Sequence, residues 1–426
     1  MKEKKKKKNK RKKFKITLLI LELVFTILAL VIGGMGAYYT TASDAKKIEI
    51  RNGLVKTLSG WSWVRNILLS SEQKDYDKNV KDSDFDESKI DVNENVRKLT
   101  GYTNIALFGI DARYDEFDKE TNSDSIIIVN INNDSGEVRL ISVYRDTMLK
   151  IRKKNGESVY SKANEAFFRG GAEGAITMLN TNLDLDIKDY VTVNFSGLTE
   201  IIDALGGVDV NITEEERFYI NGYLVETRKV TGMDAPDVNE AGNVHLSGLQ
   251  ATAYCRIRYT SYFDETGKEY KDDLGRTARQ RAVLSKLVDK AKAAGSDKII
   301  KIAKQILNSN TKEKTFVKTS MDFDEIMDLI PLMIDFTLTD TVGFPYTLAM
   351  PDIDGVSYVV AEGLSYNVSK LHQFMYGDTN YHVSPSVRKI NDYLIDYTGV
   401  DEVKLPEDRE TEETETETES YTGRYR

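Results

Sequence analysis

Cysteine is almost absent from this 426-residue chain. Cys255 stands alone, so no internal disulfide and no multi-thiolate zinc or iron–sulfur site can form. Histidine is nearly as scarce. His245, His372 and His382 lie far apart, which argues against a histidine-rich metal centre. All six prolines fall after residue 235, so no proline-rich linker divides the early chain. No Walker-type loop, G-x-S-x-G or H-E-x-x-H pattern is present, which removes the common kinase and hydrolase readings. What remains is a globular composition, 40% apolar and 30% charged. It carries enough apolar material for a sizeable core and excludes a wholly disordered chain or a polytopic transporter.

The net charge of −9 conceals an asymmetry. Residues 1–15 carry +10, residues 16–39 carry −1, residues 40–400 carry −12 and residues 401–426 carry −6. The basic run directly precedes Ile16–Ala37, 22 residues with one charge, Glu22. At about 1.5 Å per residue a helix of that length spans a bilayer, and it exceeds the apolar core of a cleaved signal peptide. The pattern predicts a basic cytoplasmic tail (1–15) and one uncleaved transmembrane helix (16–39), with everything beyond it outside the cell membrane. A juxtamembrane helix and charged spacer (40–98) would follow, then the main domain (99–400). The Glu/Thr-rich end (401–426) cannot bury apolar surface and reads as disordered.

Within the main domain, Ile105–Ile110, Ser125–Asn132, Glu137–Val143, Tyr190–Asn194 and Val208–Ile212 read as strands. The second and third flank a turn at Asn133–Gly136. Another strand is expected near Val356–Ala361. Ala163–Leu183, Ser196–Leu205, Leu246–Tyr254 and Arg276–Ala294 read as helices, with Ser196 as a cap and Gly206-Gly207 as a stop. Further helices are expected at 298–308, 322–335, 367–376 and 386–397. This alternation predicts a three-layer α/β/α domain around a central mixed sheet.

The chemistry-bearing signal is a cluster of arginines. Five of twenty, Arg256, Arg258, Arg276, Arg279 and Arg281, fall within 26 residues of an otherwise acidic domain. Guanidinium forks suit phosphate or carboxylate oxygens. Asp111 follows one strand and Asp124 precedes another, and strand ends are where open α/β sheets place ligands. Two carboxylates beside several arginines form the set a magnesium–pyrophosphate site requires. Salt bridges are the competing reading, and the polar surroundings of Arg279 and Arg281 favour it for those two.

At these residues the chain resembles the LytR–CpsA–Psr family. The likeness runs in order through Asn104–Asp111 with Ala112-Arg113, Ser123-Asp124-Ser125, Tyr144-Arg145-Asp146-Thr147 and Lys162-Ala163-Asn164. It continues through Val193–Gly197, Asp203–Val210, Leu246–Ala251, Arg256-Ile257-Arg258-Tyr259 and Asp273–Gln280, then Val317–Thr319 and Ser357–Val360. The resemblance implies a Gram-positive envelope phosphotransferase. Such enzymes move a glycopolymer (teichoic acid or capsule-like polysaccharide) from undecaprenyl pyrophosphate to peptidoglycan. A phosphodiester forms, usually at the C6 hydroxyl of N-acetylmuramic acid, and undecaprenyl phosphate is released. Carried over by position, Asp111 and Asp124 would hold Mg2+. Arg145, Arg256, Arg258 and Arg276 would bind the pyrophosphate, with Gln280, Arg279 and Lys162 nearby. Asp273 would act as a base or orient an arginine, making Asp273, Arg145 and Arg276 the catalytic candidates.

The chain departs from the family pattern at Asn122, where arginine is usual, at Tyr144 (usually proline), at Glu165 (often histidine) and at Cys255 (usually valine). Residues 260–272 form a longer insertion. Two other functions compete: a non-catalytic polyprenyl-phosphate binder or wall-assembly scaffold, and a transcriptional attenuator. The latter needs a cytoplasmic DNA-binding element, for which only residues 1–15 are available, so no nucleic-acid partner is expected.

Overall fold

The fold is that of a computed structural model. It describes Tyr76 and residues 79–94, 96, 101–112, 121–294, 299, 302–303, 305–306, 310, 315–323, 325–326, 329 and 336–402. The chain divides into two units, Met1–Leu69 and Ser70–Arg426, and all described residues belong to the second. The basic run 1–15, the apolar segment 16–39 and residues 403–426 lie outside the described residues. Among those described, no helix is long and apolar enough to cross a membrane.

Six strands build the central sheet: β1 (Tyr102–Ile110), β2 (Ser123–Asn132), β3 (Glu137–Val143), β6 (Asp189–Asn194), β11 (Val317–Thr319) and β12 (Thr337–Phe344). Their order is β11-β6-β1-β2-β3-β12. β1 runs parallel to β6 and β3 parallel to β12, while the β1–β2, β2–β3 and β6–β11 pairs are antiparallel. The sheet is therefore mixed, as expected. Alternation along the strands packs both faces of the sheet. Ala106, Phe108, Ile126 and Ile128 face one side, where helices α1 (Glu165–Leu183), α6 (Leu364–Tyr376) and α7 (Pro385–Thr398) pack. Ile105, Leu107, Ile127 and Val129 face the other side, toward Leu284 of α5 (Asp272–Ala294).

A second core, separate from the sheet, joins α2 (Phe195–Ala204), β7 (Val208–Ile212), α3 (Glu214–Thr231), β8 (Gly242–Leu246) and α4 (Gly248–Tyr254). α3 escaped the sequence reading because charge dominates its outer face. Its ends are nevertheless signalled: Thr213 and Glu216 form a reciprocal capping box and Gly232 closes it in the left-handed region. Two hairpins also escaped notice, β4 (Met148–Arg152) with β5 (Ser158–Lys162), and β9 (Tyr262–Phe263) with β10 (Glu269–Tyr270). The expected cap Ser196 gives way to Asn194, whose side chain accepts from the Gly197 amide at 2.8 Å. α5 starts at Asp272, four residues before the expected Arg276. The strand expected at Val356–Ala361 is two short pieces, Val356–Ser357 and Val360–Ala361. Part of the expected spacer packs on the domain: Tyr76 is buried and its hydroxyl donates to the Met321 carbonyl at 2.8 Å.

Tyr144 illustrates how an unusual residue is accommodated. It is buried, with its hydroxyl against the Arg281 guanidinium. A Cβ on Gly343 of β12 would stand 2.0 Å from that hydroxyl and 2.4 Å from the ring carbon bearing it. An aromatic ring has no flexible end to move aside, so Gly343→Ala is expected to cost about 1–3 kcal/mol. Urea denaturation should show this, and the cost should shrink in a Tyr144→Ala background. Equal costs in both backgrounds would mean that the two residues are not coupled.

Candidate functional site

A cavity of about 380 Å³ lies between the sheet and the second core. Part of its lining is apolar: Leu107, Ile127, Val193, Leu198, Leu284 and Leu287. Another part is charged or polar: Asp111, Asp124, Arg256, Arg258, Arg276 and Gln280. The α5 contribution is a helical stripe: Arg276, Gln280, Val283, Leu284 and Leu287 fall at spacings of three and four.

A β-bulge aims Asp124 here. Gly109 pairs with Ser125 and Ile110 with Ser123, leaving Asp124 without a partner in β1. Simple alternation would place Asp124 on the face of Ile126 and Ile128. The extra residue turns the strand and redirects the carboxylate toward the arginines, a use of bulges common beside functional sites.

Three arginines converge on two carboxylates. Asp124 lies 2.7 Å from Arg145, 3.8 Å from Arg258 and 3.9 Å from Arg276. Asp273 lies 3.4, 3.6 and 3.1 Å from the same three. Arg276 also donates to the Asp124 backbone carbonyl at 2.9 Å. Burial pushes the Asp124 carboxyl up, but Arg276, Arg145 and Arg258 together hold it below its ordinary value. Burial dominates at Arg276 and brings it down to about 10, against the pull of Asp273 and Asp124. Arg145 is raised, because Asp273, Asp124 and Asp146 outweigh its burial.

Arg256 lines the cavity with a largely buried side chain. It donates to Glu226 and to the Thr227 hydroxyl, both at 2.9 Å, and its guanidinium lies 4.6 Å from the Phe195 ring centre. Lys162 reaches the cluster through Asp146, at 3.0 Å, and Asp146 lies 3.6 Å from Arg145. Gln280 donates to the Cys255 carbonyl at 3.2 Å. The Cys255 thiol is buried and pushed up to about 12 by that burial, so it is no nucleophile at neutral pH.

Arg279 is not brought into the cavity. It is fully buried, 2.9 Å from Glu216, and donates to the Thr260 and Ser261 carbonyls at 3.1 and 2.9 Å. One residue step on a helix is about 100°. Gln280 therefore faces the cavity while Arg279 faces α3 and anchors the 260–272 insertion. Among the departures, Asn122 is exposed and outside the cavity lining. Glu165 accepts from the Ser161 hydroxyl and pairs with Arg169, each at 2.6 Å. Sequence reasoning missed Asp146 and Glu226. Asp146 had a signal, its adjacency to Arg145; Glu226 had none, being one acid on a charged helix.

Among the described residues of this cluster, Arg145, Lys162, Arg256, Arg258 and Arg276 are matched in number by Asp111, Asp124, Asp146, Glu226 and Asp273. Those ten described side chains thus balance formally before any ligand arrives.

Residues 66–372 match the LytR_cpsA_psr family. A Bacillus cereus protein named polyisoprenyl-teichoic acid–peptidoglycan teichoic acid transferase TagU is 30% identical over 236 residues, 54% of this chain and 68% of that protein. Biofilm regulatory protein A of Streptococcus mutans is 34% identical over 197 residues, 45% of each protein. A crystal structure of a Streptococcus agalactiae protein shares the fold, with a TM-score of 0.53 at 24% identity, covering 67% of this chain and 90% of the other.

Proposed function

We propose that this chain, which belongs to the LytR_cpsA_psr family, transfers a glycopolymer from a polyprenyl-pyrophosphate carrier to peptidoglycan. The observation that carries this reading is one cavity lined both by apolar side chains and by an arginine–carboxylate group. A polyprenyl pyrophosphate has that same division, a hydrocarbon tail joined to a compact anion. The relative named TagU acts on a polyisoprenyl-linked teichoic acid and peptidoglycan by its name, which supports the same substrate class here.

In the proposed reaction, the acceptor hydroxyl oxygen bonds to the saccharide-linked phosphorus. The bond from that phosphorus to the bridging oxygen breaks, polyprenyl phosphate leaves, and the hydroxyl proton passes to a carboxylate or to water. Positioning and charge neutralisation dominate such a transfer. Arg145, Arg258 and Arg276 hold the pyrophosphate oxygens, and Arg256 joins them. Asp273, surrounded by three guanidiniums, orients them. Lys162 acts through Asp146 on Arg145.

The donor set fits magnesium. Asp111 and Asp124 both line the cavity, and Mg2+ commonly takes one or two carboxylates plus phosphate and water. Asp111 and Asp124 are two carboxylates, so phosphate oxygens and water would complete the coordination. When bound, the ion supplies positive charge that an already neutral cluster lacks for a pyrophosphate. The anchor at residues 16–39, with the domain outside the membrane, is part of this proposal and rests on the sequence pattern.

The test incubates the full chain with a polyprenyl-pyrophosphate-linked saccharide and peptidoglycan oligomers, with magnesium or with chelator. Attachment and released polyprenyl phosphate should appear together with magnesium. Arg256→Ala should lower the rate about tenfold or more, in line with loss of a charged hydrogen bond. Donor binding without transfer would favour the carrier-protein reading instead.

A further inference from the structure

Beside the arginines of the cavity runs a row of aromatic rings, two of them in solvent and the third, Tyr219, half-buried. Phe218 and Tyr259 are each 69% exposed. Tyr219 joins them, with ring centres 5.6 Å from Phe218 and 6.1 Å from Tyr259. Phe218 and Tyr219 lie on α3; Tyr259 follows Arg258 directly. Tyr259 lines the cavity, as does Tyr223, one helical turn beyond Tyr219. The row is therefore continuous with the proposed substrate site. Exposed apolar groups joined in this way mark a binding surface more often than scattered single residues do.

We propose that Phe218, Tyr219 and Tyr259 form a stacking surface for the saccharide attached to the pyrophosphate. This rests on the proposed function. With the tail against the apolar lining and the pyrophosphate on the arginines, the saccharide extends from the phosphate side, where Tyr259 stands beside Arg258. A pyranose presents a face of C–H bonds that packs on an aromatic ring while its hydroxyls stay in water, and tyrosine adds a polar handle. No fixed charge lies on these three side chains, so they suit an uncharged sugar. The row would grade donors by their first sugars, while the arginines bind the pyrophosphate common to all.

The full chain would be titrated in detergent with a short polyprenyl pyrophosphate, either bare or carrying chitobiose. The sugar should tighten binding in the wild type. Phe218→Ala and Tyr259→Ala should each reduce that tightening by about three- to tenfold, the scale of one aromatic contact. Phe218→Ala should bind the bare lipid as the wild type does. Tyr397→Ala, at an exposed tyrosine on α7, should change nothing. The proposal fails if the sugar increment survives both substitutions. It also fails if Phe218→Ala weakens the bare lipid equally, which would make the row a surface for lipid or membrane. Absence of bare-lipid binding in the wild type would overturn the proposed function itself, and this inference with it.

Discussion

Arg145→Ala is expected to lower transfer by about 10²–10³-fold, the usual loss when one preorganised charge stabiliser is removed from a phosphoryl or acyl transfer site. Arg145 lies within 3.6 Å of three carboxylates, Asp124, Asp146 and Asp273. Removing it leaves four basic side chains against five acidic ones in the cluster named above. The incoming pyrophosphate then meets net negative charge. Asp124 and Asp273 keep Arg258 and Arg276 as partners, so the fold should persist. Arg145→Lys should recover only part of the rate, because an ammonium cannot replace the planar fork. The measurement is single-turnover transfer at saturating donor, with circular dichroism as the control for folding. A rate within threefold of wild type would remove Arg145 from the site.

Arg279→Ala is expected to do the opposite: lower stability by about 3–5 kcal/mol, as breaking a buried ion pair does. Its partner Glu216 is 4% exposed and caps α3, so the substitution leaves a buried carboxylate without its cation. The Thr260 and Ser261 carbonyls lose their donor as well, loosening the insertion. Arg279→Lys should rescue poorly, since one ammonium cannot reach Glu216 and both carbonyls in the geometry of the fork. Urea unfolding decides the matter. A full-stability variant with weakened donor binding would return Arg279 to the substrate site, where position in the family motif had placed it.

The contrast between Arg276 and Arg279 shows where reading the chain stops. Both lie in one motif, and both belong to one helix. Composition and spacing identified the arginine cluster and favoured a salt bridge for Arg279, but could not name its partner, the buried Glu216. Helical geometry separates Arg279 from Gln280 by about 100°. The identity of the element covering each face is a matter of tertiary packing, and α3, which covers Arg279, went unrecognised. The same absence hid Glu226, the partner of Arg256, and the aromatic row.

Local patterning was sufficient for the strands that carry Asp111 and Asp124, for the Gly136 turn and for α1, because these follow from alternation, turn chemistry and apolar periodicity. The ordered motifs pointed to the family. Other features depended on contacts between distant segments. The bulge that turns Asp124 toward the arginines needs β1 opposite β2. Tyr144 is possible because Gly343, 199 positions later by number, leaves its ring room. The three guanidiniums close on Asp124 and Asp273 because β2, the end of β3, α4 and α5 meet there. Short-range preferences act within a few residues along the chain; burial and charge pairing act across space, and the site is made of the latter.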